Sequence, residues 1–414
     1  MVKNDRSAEV TVPRPFAVLL IVAAAITTTK GTQEIVYPPY LAGHGYPLSL
    51  IGILTSLFAV LQLASRVPVG VAYRADRAKR QFALALVALG ASTSGFAFAN
   101  GQPIVVVALS AVLGFAFGSA GTLGLALAID VTGGRKAGTS MAWYTAAISL
   151  GYALGSVVGG SLAETIGIPS TLGVIGVLPI AAALAVMTLP AVDGAPFPMD
   201  RGSGLRGLLA AGAKLDRRVW LAFVVVLYLN VLSDSVDTFF PVFAPTIGIS
   251  LAVVGVLRAF KSGAAIFIRS TGVVLLRVVD HRTVMLVAVV AAAAATISLP
   301  LSASLAVLIP IFIVLGLTRG ILRATSAATI AELRNEGRDV GLASGVYNSG
   351  LDIGAIVGPA LGGAIANVLG IPQMFQVIAV ISLAAWLAVA LSSPATRAAS
   401  GLARRPRPAA GDGR

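Results

Sequence analysis

Long apolar runs follow one another from Phe16 to Leu391 with only short breaks. Roughly 20 apolar residues cover the hydrocarbon core of a bilayer. Only structures that satisfy their backbone groups internally can cross it, which leaves helices and closed barrels. The alternating ten-residue segments of a membrane β-barrel do not occur. The chain therefore reads as an all-α membrane protein. Twelve spans are expected, at about 16–41, 48–72, 82–99, 103–129, 139–165, 169–190, 219–245, 250–276, 284–299, 304–331, 340–367 and 372–393. Composition excludes a water-soluble domain, since 57% of the 414 residues are hydrophobic and 11% charged, with a mean hydropathy of +0.91. The polar stretch Met1–Pro15 precedes a span too long for the apolar part of a cleaved signal peptide, so no removed leader is expected.

The net charge of +13 is distributed in a way that argues against nucleic acid as a partner. Arg and Lys sit in short loops and tails and form no continuous face. The connections 44–47, 100–103, 167–169, 248–250, 299–302 and 370–372 contain neither Lys nor Arg. The intervening ones hold Arg74, Arg77, Lys79 and Arg80, then Arg135 and Lys136, then Arg201 to Arg218, then Arg277 and Arg282, then Arg334 and Arg338. Short Lys/Arg-rich loops stay cytoplasmic, so both termini are placed inside a bacterial inner (plasma) membrane. The segments follow as an N-terminal bundle (1–190), a Gly/Pro-rich cytoplasmic linker (191–218), a C-terminal bundle (219–393) and a disordered cytoplasmic tail (394–414). There is no cysteine, and the two histidines, His44 and His281, fall in separate loops. No disulfide or metal site is expected. No Gly-Lys-Ser/Thr phosphate loop is present, so ATP is not the driving force and no cofactor is expected.

The chain repeats itself. At an offset of 203 residues, Glu34 meets Asp237, Pro38 meets Pro241, Gly45 meets Gly248, Gly52 meets Gly255 and Arg66 meets Arg269. The same offset joins Arg74 with Arg277, Tyr144 with Tyr347, and the GIP turns at 167–169 and 370–372. The fourth and tenth spans match at 202, pairing Gly114 with Gly316 and Asp130 with Glu332. Six spans per half give both halves the same orientation, related by an axis along the membrane normal.

Two stretches carry a family resemblance. The loop Gly70–Arg80 (GVAYRADRAKR) resembles the glycine–acid–basic motif of the major facilitator superfamily. Gly151–Gly160 (GYALGSVVGG) and Gly354–Gly363 (GAIVGPALGG, with the Gly358–Pro359 pair) resemble the glycine-rich motif of its drug:proton antiporter branch. Where that branch has an Arg in the fourth span, this chain has Ser110. The resemblance covers nearly the whole length. It implies twelve helices in two pseudo-symmetric six-helix bundles, a monomer, and a secondary active transporter and not an enzyme. Gly151, Gly155, Gly159, Gly354, Gly358, Pro359 and Gly362 are expected to pack helices closely, at the crossings of the fifth span with the eighth and of the eleventh with the second.

Charge inside a span is costly and therefore informative. Asp234 and Asp237 lie one turn apart in the apolar stretch Trp220–Gly248, and acids so close repel. With Glu34 and Asp352 they are the candidates for holding a coupling proton. Lys30 shares a helix face with Glu34. Arg258 and Lys261 sit one turn apart on the eighth span, and Arg319 and Arg323 on the tenth. Their repeat mates, Thr55, Phe58, Phe117 and Gly121, are uncharged. Lys30, Arg258, Lys261, Arg319 and Arg323 are the candidates for binding substrate, since Arg grips carboxylate or phosphate with two parallel hydrogen bonds. The competing reading is mutual neutralisation, for example of Asp234 by Arg319 or of Lys261 by Asp352. Arg66, Arg74, Asp76, Arg77 and Asp130 in one half, and Arg269, Arg277 and Glu332 in the other, are expected to form a cytoplasmic gate, with Asp130 among Arg74 and Arg77.

The expected activity is alternating access around a midplane site. Export of a small organic molecule in exchange for protons is the favoured direction, from the glycine motif. The alternative is proton-coupled uptake of an anionic or zwitterionic metabolite, from the buried bases. The expected partners are that solute, protons and the lipid bilayer.

Overall fold

A computed structural model describes residues 14–132, 137–190, 217–278, 281–335 and 340–391. Of the linker expected at 191–218, residues 191–216 lie outside the described residues, as does the tail, and Arg217 and Arg218 open a helix. Among the described residues the chain is helical, with no strand. The helices are α1 (Arg14–Gly43), α2 (Leu48–Val71), α3 (Ala75–Gly95), α4 (Pro103–Thr132), α5 (Ala137–Ile166), α6 (Ile168–Met187, broken at Gly176), α7 (Arg217–Phe243), α8 (Leu251–Val278), α9 (His281–Ser298), α10 (Leu305–Asn335), α11 (Val340–Leu369) and α12 (Ile371–Leu391).

Eleven of these are long and apolar enough to cross a membrane by composition. The exception is α3. Its first turns hold Asp76, Arg77, Lys79 and Arg80, and its apolar part is finished by non-helical turns at 96–99. Burial separates central helices from peripheral ones. The most apolar window is 67% buried in α7 and 56% in α1, against 28% in α12. Phe98, Ile104 and Val368 are at least 80% exposed, which suits side chains that face lipid.

The repeat is visible in the turns. Gly45 and Gly248 adopt φ of 78° and 77°, and Gly167 and Gly370 adopt 81° and 88°. Left-handed backbone of this kind is strained for residues with a Cβ. Each pair thus closes the same helix end in its own half.

The glycine runs divide their labour. A Cβ on Gly155 would lie 2.1 Å from the Thr28 carbonyl of α1, and one on Gly358 would lie 2.7 Å from the Val231 carbonyl of α7. Gly151, Gly159, Gly354 and Gly362 face the same two partners. These contacts join helices within one half, and the cross-half crossings use other glycines. A Cβ on Gly160 would meet Leu251 O of α8 at 2.2 Å, and one on Gly255 would meet Ser156 O of α5 at 2.2 Å. On the other side, a Cβ on Gly52 would meet Pro359 O at 2.1 Å, and one on Gly363 would meet Leu48 O at 2.6 Å. The Ser56 hydroxyl donates to Ile356 O at 2.5 Å, and Glu164 accepts the Ala252 N–H at 2.9 Å. All these contacts lie at the end that carries the turns without Lys or Arg. The halves are therefore drawn together at that end, and the space between them extends toward the end with the basic loops.

Candidate functional site

The space between the halves is a cavity of about 350 Å³. It runs from Tyr37, Pro38 and Pro359, beneath the closed end, to Gln62, Arg66 and Asn348. Its charged groups come from α1, α2, α7, α10 and α11. The residues Asn230, Asp234 and Asp237 recur at i, i+4 and i+7, so α7 turns one polar stripe inward.

Two carboxylates organise the bases. Glu34 lies 3.4 Å from Lys30 Nζ through Oε1, and its Oε2 accepts a hydrogen bond from Arg258 Nη2 of α8. That bond crosses from one half to the other. The Lys30 ammonium also lies 3.9 Å from the centroid of the Phe58 ring, a cation–π contact. Asp237 is the denser hub. Its Oδ1 accepts from Lys261 Nζ at 2.8 Å and lies 3.6 Å from Arg258 Nε. Its Oδ2 lies 3.6 Å from Arg319 Nη1. Lys261 also donates to the Ser233 hydroxyl at 2.9 Å. Arg258 is 7% exposed and Lys261 4%, so both would be costly to bury without these partners. One linked network thus holds four bases, Lys30, Arg258, Lys261 and Arg319, on two carboxylates.

The remaining charges do not form the example pairs of the competing neutralisation reading. Lys261 is taken by Asp237 across the gap between α8 and α7. Asp352 on α11 faces α2 and accepts both bonds of Arg66 Nη1, at 2.9 and 2.8 Å. Arg66 therefore lines the cavity and ties the halves together across it. Asp234 lines the cavity and makes no ion pair within 4 Å among the described residues. Arg323 donates to Asn230 Oδ1 at 3.3 Å.

Toward the basic-loop end, Asp76 lies between Arg74 (3.8 Å) and Arg77 (3.7 Å), all three well exposed. Asp130 accepts a hydrogen bond from the buried Tyr73 and makes no ion pair with Arg74 or Arg77, which pair with Asp76 instead. Burial and the adjacent Asp130 carboxylate push the Tyr73 phenol upward. The side chains of Arg269, Arg277 and Glu332 lie outside the described residues.

Uncharged polar groups complete the wall, and the sequence reading passed over them. Gln33 donates through Nε2 to Thr93 Oγ1 at 2.6 Å. Thr93 spends its own proton on Leu89 O, so the amide orientation of Gln33 is fixed. Its Oε1 is buried without a partner, as is Asn230 Nδ2. Both residues line the cavity, one from each half. Tyr37 and Ser110 share a 2.6 Å hydrogen bond there. The available signal was helical spacing, of Asn230 four residues before Asp234 and of Gln33 three residues after Lys30.

Among the described residues this arrangement sets no nucleophile against a base. It is a charge-lined pocket between two matched helical halves, closed at one end, which is the build of a solute transporter. The Major Facilitator Superfamily model matches residues 19–333 and again 263–411. The chain belongs to that superfamily and is a secondary transporter, not an enzyme. A transporter of Schizosaccharomyces pombe described as an uncharacterized MFS-type protein is 32% identical over 129 residues, which is 30% of this chain and 28% of that one. Among solved structures, the nucleoside transporter NupG aligns with a TM-score of 0.72 at 13% identity, over 91% of this chain and 99% of its own. A bacterial homologue of the human lysosomal transporter Spinster, in an inward-facing unoccupied conformation, aligns with a TM-score of 0.70 at 15% identity, over 91% and 96%. At those identities the likeness speaks for the fold alone.

Proposed function

We propose that the chain carries a small organic solute with an anionic group, and that protons drive it. The observation behind this reading is the surplus of charge in the network, with four bases sharing two carboxylates. A surplus positive charge in a low-dielectric span is unfavourable and is offset by an arriving anion. The coupling follows from the hub. A proton on Asp237 would release Arg258, Lys261 and Arg319 for the solute. Proton and anion would then favour the same state, and a ligand shifts an equilibrium only by binding its two states unequally. Joint binding means symport, and so uptake down a proton gradient. Asp234, Glu34 and Asp352 are further proton candidates, and Lys30, Arg319 and Arg323 further solute contacts. With the basic loops in the cytoplasm, both termini lie inside and the cavity faces inward. Arg66 and Asp352, with the Asp76 cluster, would act as the inner gate.

Export by exchange for protons remains the second reading, favoured by the run Gly354–Gly363 with its Gly358–Pro359 pair. A thermal-shift screen of anionic solutes at two pH values would supply a substrate. The purified protein in liposomes holding a pH-sensitive dye then decides. Symport predicts that adding the solute outside acidifies the lumen. Alkalinisation would overturn symport in favour of exchange, and no proton movement during transport would overturn the coupling altogether.

A further inference from the structure

Behind the ion network lies a second chamber of about 340 Å³, between α5 and α8. Glu34, Tyr152, Asp234, Asp237, Arg319 and Arg323 form a wall common to both spaces, whereas Arg258 and Lys261 line only the second. Arg258 is deeply buried, with Nη2 given to Glu34 and Nε near Asp237. Its other terminal nitrogen, Nη1, is buried with no hydrogen-bond partner. An unmet donor on a buried cation is among the more costly polar defects. Tyr152 of α5 lines the chamber from the shared wall, and its hydroxyl makes no hydrogen bond among the described residues. Ser262 of α8 likewise keeps a hydroxyl available.

We infer that this chamber seats an oxyanion, carboxylate or phosphate, between Arg258 of α8 and Tyr152 of α5. The inference rests on the anion reading above and places the charged end of the solute. A guanidinium edge and a phenol offer directed donors to an oxygen-bearing anion, a geometry that a spherical halide cannot use as fully. The chamber is larger than such a group, so the rest of the solute extends along the shared wall. Its position gives the anion a mechanical role. Ser156 lines the chamber and is also the residue whose carbonyl meets Gly255 at the crossing of α5 and α8. An anion held by Tyr152 and Arg258 joins the two halves just beyond that crossing and favours their closure. Glu34 and Asp237 face the same space and repel the anion until one of them takes up a proton.

The test uses the purified full-length protein with inorganic phosphate, acetate and chloride at matched ionic strength, each in the tens of millimolar. One or both oxyanions should raise the melting temperature about 2–4 °C above chloride, and the arm that does so identifies the group. Tyr152→Phe should weaken that effect about fivefold by losing one hydrogen bond, and Arg258→Lys should weaken it further. If Arg258→Lys does not fold, Ser262→Leu, which fills the chamber, takes its place. Oxyanions no better than chloride would overturn both this inference and the anion reading. Loss of the effect in Lys30→Gln, with full retention in Tyr152→Phe and Arg258→Lys, would place the anion in the main cavity. That would overturn the inference alone.

Discussion

The two halves share their joints and differ in their charges. Gly52 and Gly255 are mates in the repeat, and each sets its helix against a carbonyl of the opposite half. At the sites that matter for charge the mates diverge. Arg258 answers Thr55, Lys261 answers Phe58, Arg319 answers Phe117 and Arg323 answers Gly121. Within the network the Glu34 and Asp237 carboxylates are kept in register, and each has gathered bases in its own way. Asp237 draws Lys261 from the next helix, while Glu34 draws Lys30 from its own. The ring of Phe58, the counterpart of Lys261, then receives the Lys30 ammonium on its face. Close backbone packing tolerates little change, so duplication preserved it. Side chains that project into water-filled space were free to specialise.

The sharpest way to break this comparison is Asp237→Asn. It leaves three bases without their shared carboxylate, and proton-driven transport should fall at least ~100-fold while counterflow exchange in liposomes persists in part. Unchanged uphill transport at every pH would remove Asp237 from the coupling. Next comes the charge asymmetry itself. Arg319→Ala should weaken solute affinity by about 10- to 100-fold, as expected for a lost charged hydrogen bond. Its mate, Phe117→Ala, should leave affinity nearly intact. Binding and melting measured together separate the cases, since equal affinity losses in both would make the asymmetry irrelevant to recognition. The smallest effect concerns the shared joints. Gly52→Ala and Gly255→Ala should each cost about 1–3 kcal/mol of stability through overpacking. Gly121→Ala, with open space around its Cα, should cost little. Clearly unequal melts for the two mates would show that the joints are less symmetric than their geometry.

The sequence carried most of the fold, because apolar length, loop charge and the offset of 203 each bear on it independently. It also picked out which buried charges to watch. Pairing was another matter. The repeat says that α2 corresponds to α8, but it does not say how one half is rotated against the other. That rotation decides that Asp352 meets Arg66 and leaves Lys261 to Asp237. The same limit hid the glycine roles, because Gly155 and Gly160 look alike in the run yet face opposite bundles. Gln33, Asn230 and Tyr152 went unread because a neutral polar residue in a span is common, and only position shows that one is left without a partner.

Four of the six bases that line the two spaces, Arg258, Lys261, Arg319 and Arg323, sit on α8 and α10, which pack against each other through Gly316 and Gly320. What the molecule accepts as cargo can therefore drift by a handful of codons in one packed helix pair, while the opposing bundle serves as an unchanged anvil. A lineage of such proteins could diversify its diet quickly without rebuilding the hinge.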